Sequence, residues 1–521
     1  MSLSEKVIKN TYYYFFSQVI SLLMPLFLTP FIIMKIGDTQ FGIYTLILGV
    51  LGTFGLLDLS LSTSFIKFIS EYFHKNNIER LNSTVSTGFY IYLFFTVILT
   101  IIAFFCTDYL ASVINIPADL TDTFKNTFRI SLLIFFLSNA FGIFSTVLIV
   151  LQKMYITSII NVVFGLLNFI SVIILLNYGF GLYGIIWSQA ITMAAGILFT
   201  VIYSYRSLPQ MKISLSRFSK ISLKEMSVFG LQMQISKMAT FASDKFDELL
   251  LGVFTSLNNV TLFNVGNRIV RFGKFFPSQF IVQIAPVAAE LKSKDEEEKL
   301  NSLMSDMTKY LVVITSPLFV YIFIFSQLTI FTWLGEGYET ASLIVKILIA
   351  GQLANIALSA PGNSIIPNIG QPKYQMYEGL IHLLINISVS YFLIRQFGVI
   401  GAAYGNTIAT VIASSYVFIV SVKFFGKNIF DIAKGIILPP VIYSFISGAA
   451  GYLVYYLVTS NFNINISGNR FYGIVYLLIL ALIVFMIYSL LMYKSKYLNE
   501  KDIGILKKFL YKFIPSSSKL K

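Results

Sequence analysis

The stretch GNRIVRFGKFF, residues 266–276, sets Arg268, Arg271 and Lys274 three residues apart inside an apolar run. At about 100° per helical residue the three fall within a sector of roughly 120°, a single cationic stripe. Guanidinium forks grip phosphate oxygens through paired charge-assisted hydrogen bonds, and an ammonium adds a point charge, so the chemistry suggested is capture of a phosphorylated anion. The preceding apolar segment carries Lys237, Asp244, Lys245, Asp247 and Glu248. Two readings compete. Arg268 and Arg271 pair with Asp244, Asp247 or Glu248 as glue between helices, or the cations line a hydrated cavity. Five cations against three carboxylates leave a positive surplus, which calls for an anionic ligand. Lys237, Arg268, Arg271 and Lys274 are therefore the candidate substrate-binding set, with Arg268 open to both roles.

The surroundings of these charges are apolar. Of 521 residues, 56% are hydrophobic, 12% are charged and 50 are Phe. One aqueous core cannot hide that much apolar surface, so an all-α polytopic membrane protein is expected. A cation at the centre of a membrane helix costs about 2.5–3.5 kcal/mol on insertion scales, so the stripe must be met by something. At about 20 apolar residues per crossing, the chain reads as fourteen spans, near 11–34, 41–66, 85–106, 127–150, 155–177, 181–204, 228–253, 261–289, 309–332, 341–366, 374–396, 399–421, 433–459 and 470–493. The first is too long for a signal-peptide core and lacks a small-residue cleavage site, so it is expected to remain. Pro25, Pro30, Pro277, Pro286, Pro361 and Pro367 mark expected bends. The lone Cys106 excludes an internal disulfide, and two His with one Cys make a metal site unlikely to form. No cofactor is expected.

Basic residues crowd one set of alternate loops, among them Lys67, Lys75, Arg80, Lys212, Arg217, Lys292, Lys294, Lys423 and Lys427, together with the lysines after residue 493. The other set holds only Lys35, Lys125, Arg395 and Arg470. The asymmetry predicts both termini in the cytoplasm. It also accounts for most of the net charge of +14 without nucleic acid. Arg129 and Lys346 lie near helix starts, where they can snorkel to the interface.

Sliding the chain by 219 residues lays SEYFHKNNIERLNSTVS (70–86) over AELKSKDEEEKLNSLMS (289–305), including Leu81-Asn82-Ser83 over Leu300-Asn301-Ser302. The same offset pairs Gln152 with Gln371, and an offset of 217 pairs Gly181 and Gly184 with Gly398 and Gly401. This is a duplication of six spans plus six, and since six is even the two lobes form a parallel repeat. The expected organisation is an N-terminal lobe over 1–204, an amphipathic cytoplasmic linker over 205–227, a second lobe over 228–421, two appended helices over 422–493, and a basic amphipathic tail over 494–521. Linker and tail both read as basic amphipathic helices lying on anionic membrane lipids.

Residues 35–72, KIGDTQFGIYTLILGVLGTFGLLDLSLSTSFIKFISEY, with DKFDELLLG and GFGLYGIIWSQAIT, resemble polysaccharide repeat-unit flippases of the Wzx type (O-antigen and capsule), in the MOP superfamily that also holds MATE exporters and the lipid II flippase. The resemblance implies export of an undecaprenyl-pyrophosphate-linked oligosaccharide across a bacterial cytoplasmic membrane by alternating access. It further implies coupling to H+ or Na+, and a polysaccharide polymerase and glycosyltransferases as partners. By the same analogy Asn386, Thr407 and Thr410 join Asp247 in a sodium site. Asp58, in LLDLSLS, reads three ways: as an ion carrier, as partner to a cavity lysine, or as a packing carboxylate. Asp244 is a further coupling candidate. Glu378 and His382 stand four apart on one helix face, as a surface pair or a proton-coupling pair. A lipid II flippase or a MATE-type exporter is the nearest alternative. A membrane polymerase or glycosyltransferase is disfavoured by the short outer loops and the lack of a hydrolytic constellation, so no enzyme is expected.

Overall fold

The computed structural model describes residues 3–55, 61–224, 246–462, 470–498, 502 and 504. Asp58, Lys237, Asp244 and Lys245 lie outside the described residues, as does most of the tail. In lipid, backbone polar groups must be satisfied within the chain, and apolar runs of this length do so as helices. In order these are α1 (Leu3–Gly55), α2 (Leu61–His74), α3 (Ile78–Phe105), α4 (Thr107–Val113), α5 (Thr121–Ala140), α6 (Gly142–Val150), α7 (Met154–Asn177) and α8 (Gly181–Ser207). A helical segment over 246–254, here α9, is followed by α10 (Leu257–Ser293), α11 (Glu297–Leu334), α12 (Glu339–Leu358), α13 (Ala360–Ile365), α14 (Lys373–Phe397) and α15 (Val399–Phe424). The last are α16 (Ile429–Asp431), α17 (Leu438–Phe462) and α18 (Arg470–Lys494). Among the described residues, eleven helices are long and apolar enough to cross a membrane. The first of them bends at Gly37, whose φ of 76° only a glycine adopts readily, and so holds two of the expected spans. Helix α10 runs unbroken through Pro277 and Pro286, whereas the expected tenth span breaks at Ser359 and Pro361 starts the short α13.

The duplication is written into the backbone. Asn76 before α3 and Asp295 before α11, 219 residues apart, both take the left-handed conformation at φ 53°. The turns around them share their hydrogen bonds, Asn77 N–H to Tyr72 O and Glu296 N–H to Leu291 O. The ion pair Lys75–Glu71, at 2.6 Å, recurs as Lys294–Glu290, at 2.5 Å. Ahead of α7 and α14 the matching turn bonds are Lys153 N–H to Leu148 O and Gln371 N–H to Ile366 O, an offset of 218. One residue is thus lost before this turn, and left-handed Gln152 matches Gly370 rather than Gln371. Thr39 Oγ1 and Asn258 Oδ1, themselves 219 apart, meet at 3.3 Å.

Packing divides the chain into two compact units, residues 1–268 with 375–413, and residues 269–374 with 414–521. In the first, Gly88 of α3 lies against the ring of Phe65 of α2, where any Cβ would collide, and Phe65, Ile69, Leu81, Val85, Ile143 and Val147 form one core. In the second, Phe325 and Leu328 of α11 pack on Leu480 and Val484 of α18, and Tyr488 donates to Val313 O at 2.9 Å. Phe94, Ile101 and Phe105 of α3 stay exposed, the inside-out pattern of a helix bathed in lipid.

The linker departs from the expected amphipathic helix. Residues 208–211 form a turn closed by Met211 N–H to Leu208 O, Leu215–Arg217 make one 3-10 turn, and a helix begins only at residue 220. The reason is that α3 takes the linker backbone's hydrogen bonds. Asn82 donates to Gln210 O and accepts from Lys212 N–H, at 3.0 and 2.8 Å. Ser86 Oγ accepts from Ser214 N–H and Thr87 Oγ1 from Ser219 N–H. A helix over 208–219 would forfeit all of these, so the non-helical form prevails there. Leu215 and Ile221 remain 67% and 58% exposed.

Candidate functional site

Among the described residues of the first unit, two neighbouring networks start from adjacent residues of α9. Asp247 and Glu248 are 1% and 0% exposed, and adjacent helical side chains diverge by about 100°, so each meets different partners.

Asp247 meets α14 and α15. Asn406 Nδ2 donates to Asp247 Oδ2 at 2.7 Å. Ser390 Oγ lies 3.2 Å from Asp247 Oδ1 and 2.7 Å from Asn386 Oδ1, its one proton serving either. Asn386 is fully buried, and its Nδ2 reaches no partner at hydrogen-bond geometry among the described residues, although the side chain lies close enough to act on Asp247. Helices α14 and α15 approach closely because Gly405 sits against the Ser390 backbone, where a Cβ would clash. The result is a carboxylate, two carboxamides and a hydroxyl in one buried cluster. Its oxygen donors suit a small hard cation or a proton, and with a single carboxylate they suit charge +1 better than +2. No cluster of three His, Cys, Asp or Glu that could hold a metal occurs among the described residues.

Glu248 faces the other way. Its Oε1 accepts from Asn264 Nδ2 at 3.0 Å, and Asn264 Oδ1 accepts from Arg268 Nε at 2.9 Å. Arg268 also donates to Thr29 Oγ1 at 2.9 Å, and its guanidinium lies 5.6 Å from the centre of the Phe41 ring. The glue reading of Arg268 thus has a structural counterpart in which Asn264 bridges the charges. Thr29 in turn donates to the carbonyl of Pro25 at 2.5 Å, in the proline-bearing part of α1. Gly42, Gly49 and Gly252 let the second half of α1 approach α9 and the start of α10, as small residues do at membrane helix interfaces.

Arg271 is exposed and Lys274 half-buried; both continue the helix that carries Arg268 but belong to the second unit. His382 Nε2 lies 3.1 Å from Thr410 Oγ1, which ties α14 to α15 and takes Thr410 to histidine rather than to Asp247. Glu378 and Thr407 are half-buried nearby in the chain. Arg129 reaches Asp108 at 3.6 Å and lies over Phe104, while Lys125 pairs with the same carboxylate at 2.7 Å. The Lys125 bond holds the exposed Asp108 below its ordinary pKa. Sequence reasoning missed Ser390 and Asn406. Ser390 stands four residues after Asn386 and Asn406 four before Thr410, so the helical spacing of residues already singled out carried the signal.

The family model for polysaccharide biosynthesis protein matches residues 36–343. The chain belongs to this family. Relatives and folds agree with that membership. A putative O-antigen transporter of Shigella flexneri is 23% identical over 421 residues, covering 78% of this chain and 95% of its own. The lipid II flippase MurJ, in an inward closed conformation, has the same fold at a TM-score of 0.72 with 16% identity, covering 94% of this chain and 99% of its own. An inward-facing MATE transporter of the MOP superfamily follows at 0.64 with 14% identity, over 80% of this chain and 96% of its own. In this polysaccharide-biosynthesis chain the family match takes in α9 and α10, and with them Asp247, Glu248 and the cationic stripe.

Proposed function

We propose that this chain flips an undecaprenyl-pyrophosphate-linked oligosaccharide from the cytoplasmic to the outer leaflet of a bacterial cytoplasmic membrane. The observation that carries the reading is the stripe of Arg268, Arg271 and Lys274 on one helix of a polysaccharide-biosynthesis family member. Guanidinium and ammonium groups at membrane depth suit a diphosphate and repel a cationic drug. The Shigella relative's description as an O-antigen transporter supports the same substrate class.

The reading includes fourteen crossings, six-helix lobes with two appended helices, both termini in the cytoplasm, and alternating access between the lobes. It includes coupling to H+ or Na+ at Asp247, with Asn386, Ser390 and Asn406 as oxygen donors. Asp58, Asp244, Glu378, His382, Thr407 and Thr410 stand as supporting polar groups, and Lys237 as a neighbour of the stripe. The protein works as a carrier rather than an enzyme, beside a polysaccharide polymerase and glycosyltransferases. Leu215, Phe218 and Ile221, exposed amid Arg217, Lys220 and Lys224, would rest on anionic lipid. Lipid II is the second substrate reading, favoured by the MurJ fold likeness over nearly the whole chain.

The test is complementation of a flippase-deficient strain that lacks surface polysaccharide. Wild type restores export, and Arg271→Ala and Lys274→Ala insert normally but lose it. Normal export by both variants rules out the stripe as the substrate site. Rescue of a strain lacking its lipid II flippase, without rescue of polysaccharide export, favours the second reading.

A further inference from the structure

A crevice of about 360 Å³ opens within the second unit, between the last turns of α11, the Gly335–Tyr338 turn, the start of α12, and α17. Its volume is at the low end for small-molecule sites, room for one or two sugar rings. The lining combines Phe331, Tyr338, Tyr452 and Tyr455 with Gln327 and Glu339.

Gln327 is exposed although it lies seven residues before the end of α11, roughly 10 Å of helix rise inside. A carboxamide facing hydrocarbon at that depth would be left without hydrogen bonds, so the crevice must present it to water or to a polar ligand. Glu339, also in the lining, accepts from Gly337 N–H at 3.2 Å, which restrains its carboxylate beside the turn. The aromatic wall is rigid. Tyr455 packs edge-on to Phe325 at 6.2 Å and against Tyr476 at 5.8 Å, and Tyr452 leans on Tyr455 at 5.9 Å. Tyr452 is nevertheless 51% exposed, so part of its surface remains open to a ligand.

We propose that this crevice is a carbohydrate subsite that receives a pyranose ring of the lipid-linked glycan at the outer surface. The inference rests on the flippase reading above. A pyranose has an apolar C–H face rimmed by hydroxyls. The electron-rich face of an aromatic ring accepts those C–H groups, while an amide and a carboxylate take the hydroxyls. The placement fits as well. The crevice borders the Gly335–Tyr338 turn that ends a membrane-length helix, the end at which the sugars of a membrane-anchored glycan meet water. An acyl chain in the same space would strand Gln327 and Glu339 against hydrocarbon.

The experiment is saturation-transfer difference NMR on the full chain in phosphatidylglycerol nanodiscs, with free glucose, galactose, mannose and N-acetylglucosamine as probes. Wild type should transfer saturation to ring C–H protons of at least one sugar. Tyr452→Leu and Gln327→Leu should each weaken apparent affinity about three- to tenfold, the range of one aromatic or polar contact. Tyr472→Leu, an exposed ring of α18 outside the lining, should leave it unchanged. Transfer to none of the four sugars, or equal transfer in all three variants, overturns the proposal. Export by the same proteins separates the two claims. Wild type that exports glycan but binds no sugar defeats the crevice alone, and wild type that binds sugar through Tyr452 but restores no export defeats the transport reading.

Discussion

The two copies of the repeat share their turns yet differ in what they place at corresponding positions. At an offset of 219, Asp247 of the second copy faces Leu28 of the first. At 218 Asn386 corresponds to Asn168, and at 217 Asn406 corresponds to Gln189 and Gly405 to Ser188. The first copy therefore holds a neutral version of the cluster: Ser188 Oγ donates to Asn168 Oδ1 at 2.8 Å, and Gln189 Nε2 to Tyr44 OH at 2.6 Å. The second holds a buried carboxylate. The contact of Arg268 with Thr29 has its repeat mate in Gly49 beside Glu248, so one glycine stands where the other copy needs a guanidinium. The scaffold is common to both copies, and among the described residues the buried carboxylates Asp247 and Glu248 belong to one. On the proposed reading, that asymmetry assigns coupling to the second copy.

The comparison is broken most severely by Asp247→Leu, which gives the second copy the first copy's residue. Gradient-driven export should fall at least about 100-fold, as Ser390 and Asn406 lose their acceptor in a buried site. Abundance in the membrane, measured by immunoblot, should fall much less, since Leu28 shows that the scaffold accepts leucine there. Next is Arg268→Ala, which strips Thr29 and Asn264 of a charged donor and should cost about 1.5–3 kcal/mol. Glu248→Gln in the same chain should recover much of the lost abundance; no recovery would free Arg268 for the substrate alone.

A smaller effect is expected from Gly405→Ser, which copies Ser188. The new side chain meets the Ser390 backbone and should destabilise by about 1–3 kcal/mol, read as a lowered thermal midpoint in detergent. The least effect is reserved for a feature that the first copy lacks. Lys309 and Tyr310 of α11 bind the buried Asp502 at 2.5 and 2.8 Å, tying the chain beyond α18 to the second unit. At 219 the first copy has Tyr90 and Ile91 instead. Asp502→Asn should leave export near wild type, loosen this anchorage by about 1 kcal/mol, and speed limited proteolysis of the tail several-fold.

The all-helical, polytopic fold and the duplication were legible because hydropathy is local in sequence, and because helix starts and left-handed turns repeat at a nearly fixed offset. Asp247 was legible as a charge where hydrocarbon was expected, and Asn386 entered only through the family resemblance. Ser390 and Asn406 were not singled out, since serine and asparagine are unremarkable until a neighbouring helix supplies a carboxylate. The non-helical first part of the linker was hidden for a related reason. Its pattern of Leu215, Phe218 and Ile221 favours a helix; the polar face of α3, formed by Asn82, Ser86 and Thr87, overrides it up to residue 219, and a helix starts only at 220. The crevice beside Tyr452 depends on three helices distant in sequence, so no local pattern announces it.

The central claim, that coupling resides in the second copy at Asp247, is tested most directly by flipping of a fluorescent undecaprenyl-pyrophosphate glycan in proteoliposomes under imposed Na+ or H+ gradients. Wild type and Gln189→Ala, which alters only the first copy's neutral network, should both accelerate when the gradient is applied. Asp247→Asn, isosteric and uncharged, should flip at one slow rate with or without it. A gradient response in Asp247→Asn equal to that of wild type would contradict the account.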